Sequence, residues 1–118
     1  MSRVLIVDDE PDLLEVWGFA LEYAGYTVER ARDGREALRC IERHIPDLIV
    51  TDLMMPGMNG DDLCRVVRGN SEWAHIPIVL HTSAYVSATA GTSLWNSVLR
   101  KPAQMEEFLS TVGRLLQR

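Results

Sequence analysis

Two patterns alternate along the chain: short unbroken apolar runs, and stretches in which apolar residues recur every three or four positions. Arg3 to Val7 is a β-branched apolar run that ends at once in Asp8, Asp9 and Glu10. Apolar residues on consecutive positions suit a parallel strand covered on both faces. Pro11 then fits the first turn of a helix, in which Leu13, Trp17, Ala20, Leu21 and Ala24 repeat at helical spacing and which Gly25 terminates. Thr27 to Ala31 reads as a second strand, Gly34 to about Ile45 as a second helix, and Asp47 to Thr51 as a third strand that delivers Asp52 at its C-terminal end.

Pro56, Gly57 and Gly60 mark a loop, and Asp61 and Asp62 open a third helix that turns Leu63, Val66 and Val67 inward. Pro77 leads into a strand over Ile78 to Thr82. From Trp73 to Leu99 there is no charged residue, and Ser83 to Ser97 is rich in Ser, Thr, Ala and Gly, which predicts an irregular or mobile stretch in place of a regular fourth helix. Val98 to Arg100 is a short fifth strand, and Met105, Phe108, Leu109, Val112, Leu115 and Leu116 form a last amphipathic helix. Strands alternating with helices imply an α/β fold, a doubly wound, flavodoxin-like, five-stranded parallel sheet in the order 2-1-3-4-5. In such sheets ligands bind beyond the C-terminal strand ends, where the winding reverses.

Composition narrows this picture without redirecting it. The 118 residues suit one domain over 1–118, and the hydrophobic share of 47% with 25% charged residues is that of a soluble globular protein. No run is long enough to span a membrane and the N-terminus does not read as a signal peptide, so the expected location is cytoplasmic. A net charge of −5 argues against direct nucleic-acid binding. Cys40 and Cys64 lack a metal or redox spacing and read as buried free thiols. His44, His75 and His81 share no ligand spacing. Trp17 and Phe19 read as helix packing and Trp73 as a loop anchor.

The polar residues at strand ends carry the candidate chemistry: Asp8 and Asp9 after the first strand, Asp52 after the third, Thr82 after the fourth and Lys101 after the fifth. Each has an ordinary reading when taken singly. Asp8 and Asp9 before Pro11 suit helix capping, Asp52 suits turn chemistry, Thr82 a cap and Lys101 a solvated loop. Their joint placement at one crevice favours a site. Carboxylates gathered there repel one another and call for a cation, and oxygen ligands with an open position suit Mg²⁺. A carboxylate nucleophile, a divalent metal, a lysine and a hydroxyl suffice to form and hydrolyse an aspartyl phosphate.

The segments V-L-I-V-D-D-E-P, D-L-M-M-P-G-M-N-G, P-I-V-L-H-T-S-A and K-P resemble the receiver domains of response regulators in two-component signalling, including the chemotaxis receivers, over nearly the whole chain. The resemblance implies that Asp52 accepts a phosphoryl group from a histidine kinase or histidine phosphotransfer protein. It implies that Asp8, Asp9 and Asp52 hold Mg²⁺ together with the backbone carbonyl of Met54, Asp9 being the more direct ligand. It further implies that Thr82 and Lys101 contact the phosphoryl group and that the Lys101–Pro102 bond is a candidate for the cis form. The expected activity is self-phosphorylation and self-dephosphorylation at Asp52 rather than catalysis on other molecules, in a domain that is monomeric when unphosphorylated and touches neither nucleic acid nor membrane.

One departure stands out. Family members usually carry an aromatic residue three positions before the lysine, where this chain has Val98; Trp95 takes that place only if the strand register shifts. This departure, together with the altered fourth-helix region between Thr82 and Lys101, motivates an alternative, a degenerate receiver acting as a phosphorylation-independent interaction domain. A phosphohydrolase acting on external substrates is disfavoured because Met54 stands where such enzymes place a general acid. A flavin site is disfavoured because the first strand runs into acids and Pro11 instead of a glycine-rich phosphate loop.

Overall fold

The computed structural model describes residues 1–86 and 93–117. In chain order the elements are β1 (Arg3–Val7), α1 (Pro11–Tyr23), β2 (Thr27–Ala31), α2 (Gly34–Arg43), β3 (Leu48–Thr51), α3 (Gly60–Gly69), β4 (Ile78–Thr82), β5 (Ser97–Arg100) and α4 (Met105–Leu116). All strand pairs are parallel, in the order β2-β1-β3-β4-β5. This is the doubly wound, flavodoxin-like sheet that the alternation of runs implied. Residues 83–86 and 93–96 form bends and turns without helix, and the rest of the expected irregular stretch, 87–92, lies outside the described residues.

Side-chain alternation along the strands divides the core in two. Leu5, Val7, Ile49 and Ile78 face α2 and α3, meeting Ala37, Ile41, Leu63 and Val67. Val4, Ile6, Leu48, Val50 and Val79 face α1 and α4, meeting Leu14, Trp17, Leu21, Phe108 and Val112. Burial on both faces explains why the central strands are unbroken apolar runs. Each helix boundary has a local cause. Pro11 occupies the first turn of α1, Gly25 follows it at φ 104°, and the Asp33 carboxylate accepts the Glu36 amide at 2.8 Å to start α2.

The structure corrects the expected facing of several residues. Phe19 is exposed while Trp17 is buried, because residues two apart on a helix point in nearly opposite directions. Val66 is exposed beside buried Val67, because consecutive helix residues are rotated by about 100° and the step carries Val66 off the buried face. Ala24 is an exposed cap, and Met105 is exposed at the first turn of α4. Leu14, buried in α1, was missed. Strand β5 begins one residue earlier than expected, and α2 ends before Ile45. Cys40 and Cys64 are buried free thiols; burial pushes both up, Cys64 to about 12.

A cation organises the connection that the sequence left featureless. The Arg68 guanidinium, at the end of α3, donates to the carbonyls of Ala74, Ile76 and Leu94 and to Asn96 Oδ1 at 2.7–3.0 Å. Asn96 Oδ1 also accepts the Ile78 amide at 2.8 Å. One side chain thus satisfies backbone carbonyls on both approaches to the β4–β5 pair.

Candidate functional site

Register brings the strand ends to a common level. Val7 pairs with Thr51, so Asp8 and Asp52 leave adjacent strands side by side. Thr82 pairs with Arg100, so Lys101 follows directly beside it, and the Lys101 amide donates to the Thr82 carbonyl at 2.9 Å. Asp8, Asp52 and Thr82 are buried. The Lys101–Pro102 peptide is cis, as the resemblance implied.

Lys101 is the centre of the arrangement. Its Nζ lies 2.9 Å from Asp8 Oδ2, 3.0 Å from Asp52 Oδ2 and 3.3 Å from Glu10 Oε1. The remaining oxygens of both aspartates are also engaged: Asp8 Oδ1 accepts the Glu10 amide at 2.9 Å and Asp52 Oδ1 accepts the Leu53 amide at 2.7 Å. Burial would lower the lysine, but its hydrogen bonds to Asp8 and Asp52 outweigh burial and raise it, so the ammonium is held firmly charged. Burial pushes the Asp8 carboxyl above its ordinary range in spite of the lysine.

The donor set suits a hard divalent cation. Oxygens of Asp8, Glu10 and Asp52 lie within 4.8 Å of one another, and one ammonium against three carboxylates leaves two formal negative charges uncompensated. Glu10 was not singled out in the sequence, although it closes the run Asp8, Asp9, Glu10. Asp9 and Met54 are exposed beside the pocket, and Asp9 does not share that oxygen cluster. Thr82 turns its hydroxyl to accept the Ala84 amide at 3.1 Å.

Gly60 is a second residue whose role sequence reasoning missed. A Cβ there would collide with the Asp52 carbonyl oxygen, and its amide donates to the Leu53 carbonyl at 2.7 Å. The first turn of α3 is therefore seated directly on the backbone of Asp52, an approach that only glycine permits. Val98 stands three residues before Lys101 in the observed register and is 41% exposed. Trp95 precedes β5 and packs against the α2/α3 side of the core, so no register shift brings it into that place.

Behind the site, His81 is buried in a ring stack. Its centroid lies 5.1 Å from Trp17 of α1 and 5.3 Å from Phe108 of α4, both edge to face, while the Trp17 and Phe108 rings stack at 4.3 Å. Among the described residues its Nε2 has no hydrogen-bond partner. Burial, reinforced by the charge of Lys101 and opposed by Asp52, pulls His81 down to about 4, so the ring is neutral.

Comparison with known proteins agrees with this geometry. The DNA-binding response regulator MtrA of Mycolicibacterium smegmatis is 35% identical over 120 residues, which cover 99% of this chain and 51% of MtrA. The chain spans about half the length of the curated relatives it matches. Among solved structures, the chemotaxis protein CheY4 of Vibrio cholerae superposes with a TM-score of 0.91 at 34% identity, over 98% of both chains. The response regulator TrrA of Thermotoga maritima, solved in complex with Mg²⁺-BeF, superposes with a TM-score of 0.87 at 29% identity, over 98% of this chain and 99% of TrrA. With the response regulator receiver domain model matching residues 4–113, the chain belongs to the receiver domain family of two-component response regulators.

Proposed function

We propose that this domain accepts a phosphoryl group on Asp52 from the phosphohistidine of a histidine kinase or histidine phosphotransfer protein, and that the acyl phosphate switches its partner interactions. The observation that carries this reading is the Lys101 ammonium bridging Asp8 and Asp52 inside an acidic, buried crevice. An Asp52 carboxylate oxygen bonds to phosphorus as the P–N bond breaks and the electron pair stays with the imidazole. Lys101, held protonated, neutralises charge on the phosphoryl oxygens, and the Thr82 hydroxyl donates to one of them. Asp8, Asp52, the adjacent Asp9 and the Met54 carbonyl, with Glu10 beside them, would hold Mg²⁺. When bound, the ion adds positive charge where phosphoryl oxygens sit, as the Mg²⁺-BeF named for TrrA supports. Water attack on phosphorus returns the Asp52 carboxylate and inorganic phosphate, so the chemistry stays on the domain itself.

Among the described residues no helix is long and apolar enough to cross a membrane. The net charge of −5 supports a domain without direct nucleic-acid contact, so a DNA-binding output of the kind named for MtrA would reside in a further domain. The degenerate reading rests on Val98 and on the altered stretch between β4 and β5, whereas Asp8, Glu10, Asp52 and Lys101 meet in one crevice.

Incubation with a small phosphodonor and Mg²⁺, read by intact mass, tests the proposal. The expected result is addition of one phosphoryl group, absent in Asp52→Asn and on chelation of the metal. An unmodified wild-type protein, or equal modification of Asp52→Asn, overturns it.

A further inference from the structure

His81 is a polar ring at a position that packing alone would give to an aliphatic side chain. It is 2% exposed, and among the described residues its Nε2 has no hydrogen-bond partner. A buried polar atom left without a partner costs stability that a leucine would not lose, so stability does not explain the residue. Charge does not explain it either, because burial, reinforced by Lys101, keeps the ring neutral.

Its place in the fold supplies a reason. Side chains alternate along β4, so His81 follows Val79 toward α1 and α4 while Thr82, the next residue, turns the opposite way. The ring meets Trp17 of α1 at 5.1 Å and Phe108 of α4 at 5.3 Å, and those two rings stack on each other. Each of the three rings is joined through its own backbone to a residue of the site. His81 adjoins Thr82, and α4 starts shortly after Lys101 and Pro102. Helix α1 starts directly after Glu10, whose carbonyl accepts the Leu13 and Leu14 amides at 3.1 Å. A core packed in this way passes a displacement on instead of absorbing it.

Thr82 is the member of the site with two available partners. Its hydroxyl accepts the Ala84 amide at 3.1 Å, and with a phosphoryl group on Asp52 it donates to a phosphoryl oxygen. Movement at the end of β4 carries His81 with it. β5 offers no buried ring to take such a movement into the core: Leu99 alone is buried on it, Val98 is exposed, and Trp95 packs on the other side of the sheet.

We propose that His81 transmits the phosphorylation state of Asp52 inward from Thr82 to the Trp17–Phe108 stack, so that α1 and α4 repack against β4, an inference that rests on phosphoryl acceptance at Asp52. The polar edge of the ring makes a second arrangement accessible. A repacked stack in which Nε2 reaches a water or a backbone group gains the hydrogen bond that the present arrangement lacks, and such small differences between two packings are what a site can bias.

The test follows one sample of the full chain by intact mass and by NMR as a small phosphodonor and Mg²⁺ are added. Mass reports the acyl phosphate, while the Trp17 indole Nε1–H, the Phe108 ring and the His81 Nε2 nitrogen report the stack. Gain of one phosphoryl group should be accompanied by shifts at Trp17 and Phe108 and by movement of Nε2 toward the position of a hydrogen-bonded nitrogen. Asp52→Asn, given the same additions, should show neither the mass gain nor these shifts. His81→Phe keeps a ring and removes the orphan atom; it should gain the same mass while Trp17 and Phe108 stay where they were. His81→Leu should behave alike, which covers the case in which the larger phenylalanine overpacks the stack. A full mass gain with the wild-type stack unmoved, or an undiminished response in the folded variants, overturns the inference and leaves phosphoryl acceptance standing. No mass gain in the wild-type chain overturns phosphoryl acceptance and the inference with it.

Discussion

The two halves of the sheet are built to different standards. β1 and β3 lie inside the sheet, paired on both sides and buried along nearly their whole length, and they deliver Asp8 and Asp52 into a crevice where every carboxylate oxygen of the pair has a partner at 2.7–3.0 Å. β5 is an edge strand of four residues in which only Leu99 is buried, and Val98, three residues before Lys101, is exposed. The acidic pair thus sits on the buried interior strands, while the edge strand, separated from them by β4, is loosely packed. Elements with few buried contacts open and rearrange most readily. The contrast sets the proposed phosphoryl acceptor on the buried interior strands and the more adaptable packing on the edge strand.

The sharpest way to break the contrast is at the residue that joins the halves. Lys101→Met removes the ammonium at the end of β5 and leaves Asp8, Glu10 and Asp52 without compensation. Phosphorylation by a small donor should slow by about 100-fold to 1,000-fold, the range for losing a charged stabiliser of a transition state. Mg²⁺ should bind more tightly because its competitor for the carboxylates is gone; weaker binding by calorimetry would remove the electrostatic account.

His81 tests whether the interior is as intolerant of charge as its packing implies. Its folded value of about 4 lies below the ordinary 6.5, so the unfolded chain takes up the proton first. Its contribution is therefore complete above pH 6.5 and is lost as pH falls from there towards 4, on the order of 2–3 kcal/mol. Asp8, raised by burial, acts in the opposite sense, because the cost of its burial is relieved as pH falls through its folded value. His81→Leu isolates the histidine: denaturant unfolding at pH 7 and pH 4.5 should differ less in the variant, which at pH 7 is at least as stable as wild type.

Gly60→Ala probes the floor of the site. The added methyl meets the Asp52 carbonyl, a backbone atom that cannot swing aside, so a loss of about 1–3 kcal/mol is expected with displaced resonances at Asp52 and Leu53. Unchanged stability would show that α3 is not seated there. The smallest effect is expected at the edge. Val98→Tyr should change stability by less than about 0.5 kcal/mol, as exposed positions do, and a larger change by thermal unfolding would show that β5 is packed as tightly as its neighbours.

Much of this was legible in the sequence because central parallel strands leave an unmistakable trace. Val4–Val7 and residues 48–50 are buried on both faces and hence apolar without interruption, so the polar residues after them stand out. What was missed depends on geometry that a linear pattern does not encode. Glu10 joins the site because the turn into α1 carries it back over Lys101, and Gly60 matters because of a tertiary contact with Asp52. Phe19 was misplaced by a two-residue offset within one helix. The Arg68 clamp could not be foreseen, since three of its four acceptors are backbone carbonyls with no residue-type signature.

The stack of Trp17 on His81 and Phe108 also makes the protein its own optical probe. Indole emission responds to a neighbouring imidazole, and this imidazole sits one residue before Thr82 on β4. Trp73 and Trp95 pack on the opposite face of the sheet. Converting those two to Phe would leave a single fluorophore whose brightness follows the back of the strand that carries the site hydroxyl, without any attached dye.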